Sequence, residues 1–197
     1  MSIKIITQPE EILTVSEVAD FLRIDFPDEE TTEIQNMITA ARLWCEEYLQ
    51  RSIGIQTLET ILGAFPTIGR QEIKLFPPVI SVTSVKYLDT NNDEQTLVVG
   101  TDFYSSVDSE PGEVVPVSAW PVSLDVANSV RVRYTTGYSD PGNSPLLSTA
   151  LPSSIRLAML MQIGDLYENR EAQTTHTLTA NPTIERLVSV YRLGMGI

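Results

Sequence analysis

The hydrophobic and polar positions follow a helical period near both ends of the chain and a period of two in the middle. Thr14 and Glu17 have the spacing of a capping box, which predicts a short helix from there to about Leu22. A longer helix is predicted after a group of acidic residues, because apolar side chains then recur at steps of three and four. Its predicted buried stripe consists of Ile34, Met37, Ile38, Ala41, Trp44 or Cys45, and Tyr48.

The period of two begins at Ile55, where apolar and polar residues alternate up to Leu62 and β-branched residues become frequent. This pattern is typical of strands. The polar run Asn91-Asn92-Asp93 predicts a turn between two of them. The middle of the chain is therefore predicted to form an antiparallel sheet or a small barrel. Its further strands are predicted at Val79–Tyr87, Gln95–Val99, Phe103–Val107, Glu113–Val117 and Val130–Thr135.

The helical pattern returns at about Pro152 and continues to Glu171. This helix is apolar nearly all round, which is more than one core-facing side requires, so it is either central to a bundle or shared with a neighbouring subunit. A polar linker, Gln173–Ala180, follows it. Asn181 and Pro182 then predict the start of a terminal helix. The apolar residues of the two helices are Leu157, Ala158, Met159, Leu160, Met161 and Ile163, then Ile184, Leu187, Val188 and Tyr191.

Taken together, these elements predict the α+β class. A length of 197 residues suits one domain with an inserted lobe. We expect residues 1–53 and 146–197 to form a discontinuous helical bundle. Residues 54–145 are expected to form an antiparallel, β-rich lobe inserted between the two halves of that bundle.

The net charge of -13 argues against a nucleic-acid-binding protein, because affinity for a phosphate backbone comes mostly from lysine and arginine. The imbalance is concentrated between Lys86 and Arg131, where the sequence has acidic residues and no basic one. Such a lobe should repel DNA and anionic membranes. The acidic residues of this segment are Asp89, Asp93, Glu94, Asp102, Asp108, Glu110, Glu113 and Asp125.

The single cysteine, Cys45, cannot form an internal disulfide and fits a reducing compartment. Residues 1–6 lack the long apolar core of a signal peptide. The most apolar run, Leu157–Ile163, is far shorter than the roughly 20 residues that span a bilayer. We therefore expect a soluble, cytosolic protein that does not enter a membrane.

The sequence contains no recognisable catalytic, cofactor or metal motif. The only histidine, His176, lies in the polar linker, which is a poor place to hold a catalytic base. Cys45 lies on or beside a predicted buried stripe, where cysteine usually acts as a small hydrophobe. Residues 89–94 are rich in oxygen ligands but lack the glycine and bidentate glutamate of a calcium loop, so a β-turn is favoured. We predict that the protein is not an enzyme and needs no cofactor or metal.

One alternative from a different functional class uses the acidic lobe. Glu110 and Glu113 could in principle act as paired carboxylates in glycoside hydrolysis, with Tyr104 and Trp120 as platforms for a sugar. Solvated acidic residues on a lobe surface are far commoner than such a pair. A carbohydrate-binding or carbohydrate-active module is thus the second hypothesis.

Four segments, in order along the chain, resemble the head-tail connector proteins of tailed bacteriophages and prophages, and the resemblance extends from about Leu13 to Leu193. It implies a helical bundle with a β-rich insertion and no catalytic residues. It also implies a ring, expected to be twelvefold, that lies beneath the portal protein and extends the DNA channel. The segments are Ala41–Arg51, Phe76–Asp89, Val130–Tyr138 and Leu151–Arg170.

The resemblance further implies the partners and the location of such a protein. The ring would offer a platform for tail attachment and would meet a head-closure or tail-completion protein. DNA would pass through it without specific binding. Assembly would take place in the host cytoplasm, and the finished protein would lie in the neck of the virion. A different neck ring, or a tail-completion protein, is the alternative within this class.

No motif of the family marks interface residues, so these are predicted from the pattern of residues alone. The helix that is apolar nearly all round is expected to pack against a neighbouring subunit through part of its surface. The terminal helix is basic and is expected to dock on the portal protein or on the next subunit. The predicted interface residues are Leu157, Leu160, Met161, Arg186, Tyr191 and Arg192.

Overall fold

The structure of the chain is a computed structural model that describes residues 1–25, 30–68, 71–138, 150–169 and 182–194. It divides into two compact units. The β unit consists of Met1–Glu10 and Gly54–Tyr138. The helical unit consists of Glu11–Ile53 and Ser139–Ile197. Each unit is described separately below.

The β unit contains two antiparallel sheets. The five-stranded sheet has the order β1-β2-β8-β4-β5, and the three-stranded sheet has the order β3-β7-β6. Each of the six predicted strands has a counterpart here, and the prediction of antiparallel pairing is confirmed. The strands are β1 (Ser2–Thr7), β2 (Gln56–Leu62), β3 (Ile73–Leu75), β4 (Val79–Leu88), β5 (Glu94–Leu97), β6 (Phe103–Ser106), β7 (Gly112–Pro116) and β8 (Val130–Thr136).

One hydrophobic core joins the two sheets. Alternate side chains of the five-stranded sheet point into it, because successive residues of a strand face opposite sides. Val85, Val132 and Tyr134 come from that sheet, and Phe103 and Val114 come from the other. All five are buried. The opposite side of the five-stranded sheet faces outward and carries the polar residues of the same strands.

The N-terminal segment lies with the strands and not with the helices. We predicted that residues 1–53 belong to the helical bundle, yet β1 pairs with β2 along its length. Met1–Glu10 therefore belongs to the β unit. The reason is physical: Ser2–Thr7 is exposed along its whole length, so no buried side marks it as part of the sheet, and its partner strand lies at least 50 residues away in sequence.

The start of β4 is fixed to β8 by hydrogen bonds from two side chains of β8. The hydroxyl of Tyr134 accepts a hydrogen bond from the amide of Phe76 (3.0 Å). The hydroxyl of Thr136 donates to the carbonyl oxygen of Pro78 (2.7 Å). Burial raises the pKa of the Tyr134 hydroxyl, so it stays protonated at neutral pH.

The described part of the helical unit contains four α-helices and a short 3₁₀ helix. The third α-helix contacts each of the other three, which confirms that it is central to a bundle. We predicted its bounds as Pro152 to Glu171, and the structure gives Ser153–Glu168. The helices are α1 (Val15–Leu22), α2 (Thr31–Leu49), α3 (Ser153–Glu168) and α4 (Pro182–Val188), followed by the 3₁₀ helix Ser189–Tyr191.

The predicted capping box of α1 is half correct. The Thr14 hydroxyl accepts a hydrogen bond from the amide of Glu17 (3.2 Å), as the sequence predicts. The Glu17 carboxylate does not return to the cap. It instead pairs through both oxygens with the guanidinium of Arg156 on α3, with two contacts of 2.6 Å. A bidentate arginine satisfies a carboxylate better than one backbone amide, so this ion pair prevails and joins α1 to α3.

The buried side of α2 agrees only in part with the predicted stripe. Arg42 and Leu49 are buried in addition to the predicted residues, whereas Met37, Trp44 and Tyr48 are only half-buried. Arg42 can be buried because carboxylates on both sides compensate its charge. Its guanidinium contacts Glu11 (3.0 Å) and Glu46 (2.8 Å), and Glu46 also accepts the amide of Ile53 (2.9 Å).

Candidate interaction surfaces

Among the described residues, the third helix keeps an apolar side partly uncovered even though it is central to the bundle. Its buried residues, Ile155, Ala158, Met159 and Ile163, lie on one side. Of the predicted interface residues on this helix, Leu157 is 42% exposed, and Leu160 and Met161 are half-buried. These three residues lie on the side opposite to the buried set, since a helix turns about 100° per residue.

The uncovered side of α3 continues onto α1. Gly164 lies seven residues after Leu157 and therefore on the same side of the helix. A Cβ built on Gly164 would lie 3.8 Å from the ring of Phe21, which is itself 43% exposed. We therefore group Phe21 with Leu157, Leu160 and Met161 as one candidate apolar surface, which we call the α3 patch. Clustered apolar side chains of this kind are typical of protein-protein contacts.

The predicted interface residues of the terminal helix have different surroundings. Arg186 lies in the last turn of α4 and is exposed. Arg192 is also exposed, but its guanidinium carbon lies 5.0 Å from the centre of the Tyr48 ring on α2, a cation-π contact. Tyr191 is half-buried. Arg186 is therefore available to a partner, whereas Arg192 also helps to hold the end of the chain against α2.

A second surface could not be predicted from the sequence. The outward side of the five-stranded sheet carries Lys4, Lys86, Arg131 and Arg133, and we call it the basic sheet face. These residues are distant in sequence and become neighbours through the register of β1, β2, β8 and β4. Two carboxylates lie among them: Glu59 pairs with Arg133 (2.9 Å) and Glu94 with Lys86 (2.7 Å). The lobe predicted to be acidic thus has one side with net positive charge.

Comparison with known proteins assigns this chain to a family. The family model described as "Head completion protein" matches residues 11–192. The chain belongs to the head completion protein family. This assignment confirms the resemblance to head-tail connector proteins, and the chain is a structural protein of bacteriophage virion assembly. The search of curated proteins returned no match.

Solved structures similar to this head completion protein come from the necks and virions of gene transfer agent particles. A chain in the neck of an empty particle, computed with C6 symmetry, matches with a TM-score of 0.74 at 19% identity. A chain in the virion of the native particle matches with 0.74 at 20%, and one in the native neck, computed with C12 symmetry, with 0.69 at 17%. Each match covers 98% of this chain and 95% of the other. These likenesses confirm the α+β fold.

The loop after β4 is a turn, as predicted. The Asp89 carboxylate accepts hydrogen bonds from the amides of Asn91 (2.9 Å) and Asp93 (3.0 Å) and from the side chain of Gln95 (2.9 Å). The bond from Asp93 is the largest cause that lowers the pKa of Asp89, and that from Gln95 is the next. Among the described residues, no group of three or more possible metal ligands is found.

The structure describes Cys45, the residue considered as a nucleophile, but not His176, the residue considered as a base. Cys45 is fully buried on α2, which confirms its interpretation as a core residue. Burial raises the pKa of its thiol to about 12, so the reactive thiolate is scarce at neutral pH. His176, the linker Gln173–Ala180 and the cap residue Asn181 lie outside the described residues.

In the part of the chain that the structure describes, no helix is long and apolar enough to cross a membrane.

Trp120, one of the two platforms of the sugar-module hypothesis, is partly used within the fold. Trp120 stacks on Phe65 with ring centroids 4.7 Å apart and planes inclined by 9°. Its indole nitrogen donates a hydrogen bond to the carbonyl oxygen of Gln71 (2.7 Å). One side of the ring is thus covered and its polar atom is used within the fold. Tyr104, the other platform, is 56% exposed.

Proposed function

We propose that this head completion protein forms a ring in the neck of a tailed phage particle, beneath the portal protein. The ring would extend the DNA channel of the head and provide the platform for tail attachment. Two findings support the proposal. The family model covers residues 11–192, and the similar solved chains lie in particle necks computed with sixfold and twelvefold symmetry. A twelvefold ring is the arrangement we expect.

The α3 patch is the observation that carries this proposal. A closed ring needs a heterologous contact, in which two different surfaces of one protein meet and the rotation between neighbours closes the circle. The α3 patch exposes part of Phe21 and Leu157 to water in the isolated chain. Burying such residues against a neighbour contributes about 25 cal/mol per Å² of apolar area. We assign one side of the ring contact to this patch.

The charge of the chain suits a channel that DNA crosses without being held. A net charge of -13 repels the phosphate backbone, so a ring of such chains should not bind DNA specifically. Tail attachment would bring the ring into contact with a head-closure or tail-completion protein. Assembly would occur in the host cytoplasm, and the finished ring would lie in the virion neck. A different neck ring, or a tail-completion protein, is the other role open to this family.

Docking on the portal protein is assigned to the terminal helix and can be tested with Arg186→Glu. We expect this change to weaken binding to purified portal protein at least about tenfold, because a reversed charge at a rim contact costs about 1.4 kcal/mol or more. Arg186 is exposed, so the free energy of unfolding should change by no more than about 0.5 kcal/mol. Biolayer interferometry would measure the binding.

Arg192→Glu is the companion variant in that experiment. It removes the cation-π contact with Tyr48 as well, so it should also lower the free energy of unfolding by about 0.5 to 1 kcal/mol. If both variants bind the portal protein as tightly as the unchanged chain, the terminal helix is not the docking element. If the unchanged chain itself fails to bind, the position beneath the portal is wrong.

A further inference from the structure

Charge is segregated between the two sides of the β unit. Among its described residues there are five basic ones, and four of these, Lys4, Lys86, Arg131 and Arg133, form the basic sheet face. The fifth, Lys74, lies on the three-stranded sheet. Glu59 and Glu94 are the carboxylates on the basic sheet face, so its formal net charge is +2, from four positive and two negative groups.

The opposite side of the unit is acidic. The three-stranded sheet packs on the inner side of the five-stranded sheet, since both contribute to one core. Its strands and the turn between β6 and β7 carry Asp108, Glu110 and Glu113, with Lys74 opposite Glu113 across the β3-β7 pair. Asp102 lies just before β6. The two charged sides are therefore separated by the thickness of the core.

The basic sheet face has more positive charge than its own carboxylates can neutralise. Lys86 and Arg131 lie directly opposite each other on β4 and β8, and like charges in such register destabilise a sheet. Both carboxylates of this face are already paired, Glu59 with Arg133 and Glu94 with Lys86. Within the described chain, Arg131 forms no ion pair of 4 Å or less, but the Glu94 carboxylate, whose pKa is lowered chiefly by its hydrogen bond with Lys86, also interacts with the charge of Arg131. It borders a pocket of about 110 Å³ that the other charged groups also line.

We propose that the basic sheet face binds the acidic side of the β unit of a second copy of this chain. The proposal rests on the ring described above and supplies a second, electrostatic part of its heterologous contact. Opposite charges on two different sides of one lobe favour head-to-tail association and fix its orientation, which closed rings require. The negative charge of the chain makes a second copy a better occupant than DNA, because the remaining surface repels phosphate.

The two sides cannot meet within one molecule, which makes the proposal testable by cross-linking. Gly112, at the end of the β6-β7 turn, packs against Val79 at the start of β4. Arg131 pairs with Lys86, seven residues further along β4. β4 has two bulges, so the same span of β8 is only the five residues from Arg131 to Thr136, the residue opposite Val79. At about 3.3 Å per residue, this separates Arg131 from the turn by roughly 17 Å along the sheet alone. A short link between them must therefore join two copies.

The experiment uses particles assembled in cells. Arg131→Cys is combined in turn with Asp108→Cys, Glu110→Cys and Glu113→Cys, and purified particles are treated with a short bismaleimide. The native Cys45 gives little background because it is buried and its thiol has a pKa of about 12. Each single-cysteine variant is the matched control. We expect a ladder of covalent oligomers from at least one double variant and from none of the singles.

Three outcomes would overturn the proposal. If particles contain the chain in ring stoichiometry but no double variant gives a ladder, the electrostatic contact is wrong while the ring stands. If the chain is absent from particles, the proposed function fails and this inference fails with it. If Arg131→Glu weakens binding of duplex DNA in fluorescence anisotropy and no ladder forms, the occupant of the basic sheet face is DNA.

Discussion

Leu157→Asp is expected to abolish incorporation of the chain into particles while the isolated chain still folds. The change places a carboxylate in the centre of the α3 patch, where it would have to be buried without a partner on assembly. A charge buried in this way costs about 3 kcal/mol or more, which weakens each contact at least about 100-fold. A ring repeats the contact at every subunit, so the defect multiplies. Immunoblots of purified particles would measure the chain content.

Leu166→Asp is the matched control on the same helix. Leu166 is 36% exposed, against 42% for Leu157, but it lies nine residues further on, about two and a half turns, and so on the other side of α3. It should enter particles normally. Leu166 lies on the side of α3 that carries Ile155, Met159 and Ile163, so Leu166→Asp should lower the free energy of unfolding at least as much as Leu157→Asp does. Urea unfolding of both variants checks this, and loss of particle entry by Leu157→Asp alone is then not a folding defect. Equal incorporation of the two variants would show that the α3 patch is not the ring contact.

Gly137→Ala should have the largest effect on stability. Gly137 follows β8 with φ of +118°, and a Cβ built there would lie 2.2 Å from the carbonyl oxygen of Gly54. The strained backbone costs about 1 to 2 kcal/mol, and the forced movement of Gly54 adds about 1 to 3 kcal/mol. The movement also threatens the hydrogen bond from the Gly137 amide to Pro78 (3.0 Å). Urea unfolding followed by circular dichroism should show a loss of at least about 2 kcal/mol.

Gly100→Ala separates the two causes of that loss. Gly100 also has a positive φ, +81°, but nothing lies within 4 Å of the built Cβ. Only the backbone strain remains, so the loss should be about 1 kcal/mol. If the two alanine variants unfold at the same urea concentration, the close approach of Gly137 to Gly54 does not stabilise the β unit.

Local patterns in the sequence predicted most elements of the fold. The period of two identified β2 and β8, and the period of three and four identified α2, because one side of each element is buried. The pattern failed where burial depends on distant partners. β3 has only three residues, too few to show alternation, and β1 is recognisable only through its pairing with β2. From the pattern of apolar residues alone, an arginine in α2 would be predicted to face water. Arg42 is buried instead, because Glu11 and Glu46 surround it.

The candidate surfaces were predictable to different degrees. The excess of apolar residues on α3 indicated a helix that packs in the bundle and also contacts a neighbouring subunit. The structure leaves Leu157 partly exposed on the side opposite to Ile155, Met159 and Ile163. The contribution of Phe21 to this patch could not be predicted, because it depends on α1 crossing α3 near Gly164. The basic sheet face was hidden for a similar reason. Its residues come from β1, β4 and β8, which only the sheet register brings together.

Deletion of this gene from the phage or prophage that encodes it tests the central claim most directly. Negative-stain electron microscopy of the resulting lysate should show separate heads and free tails, with DNA leaking from the heads. A plasmid copy of the unchanged gene should restore joined particles. Intact tailed particles in the deletion lysate would contradict the account, because they would show that heads close and tails attach without this protein.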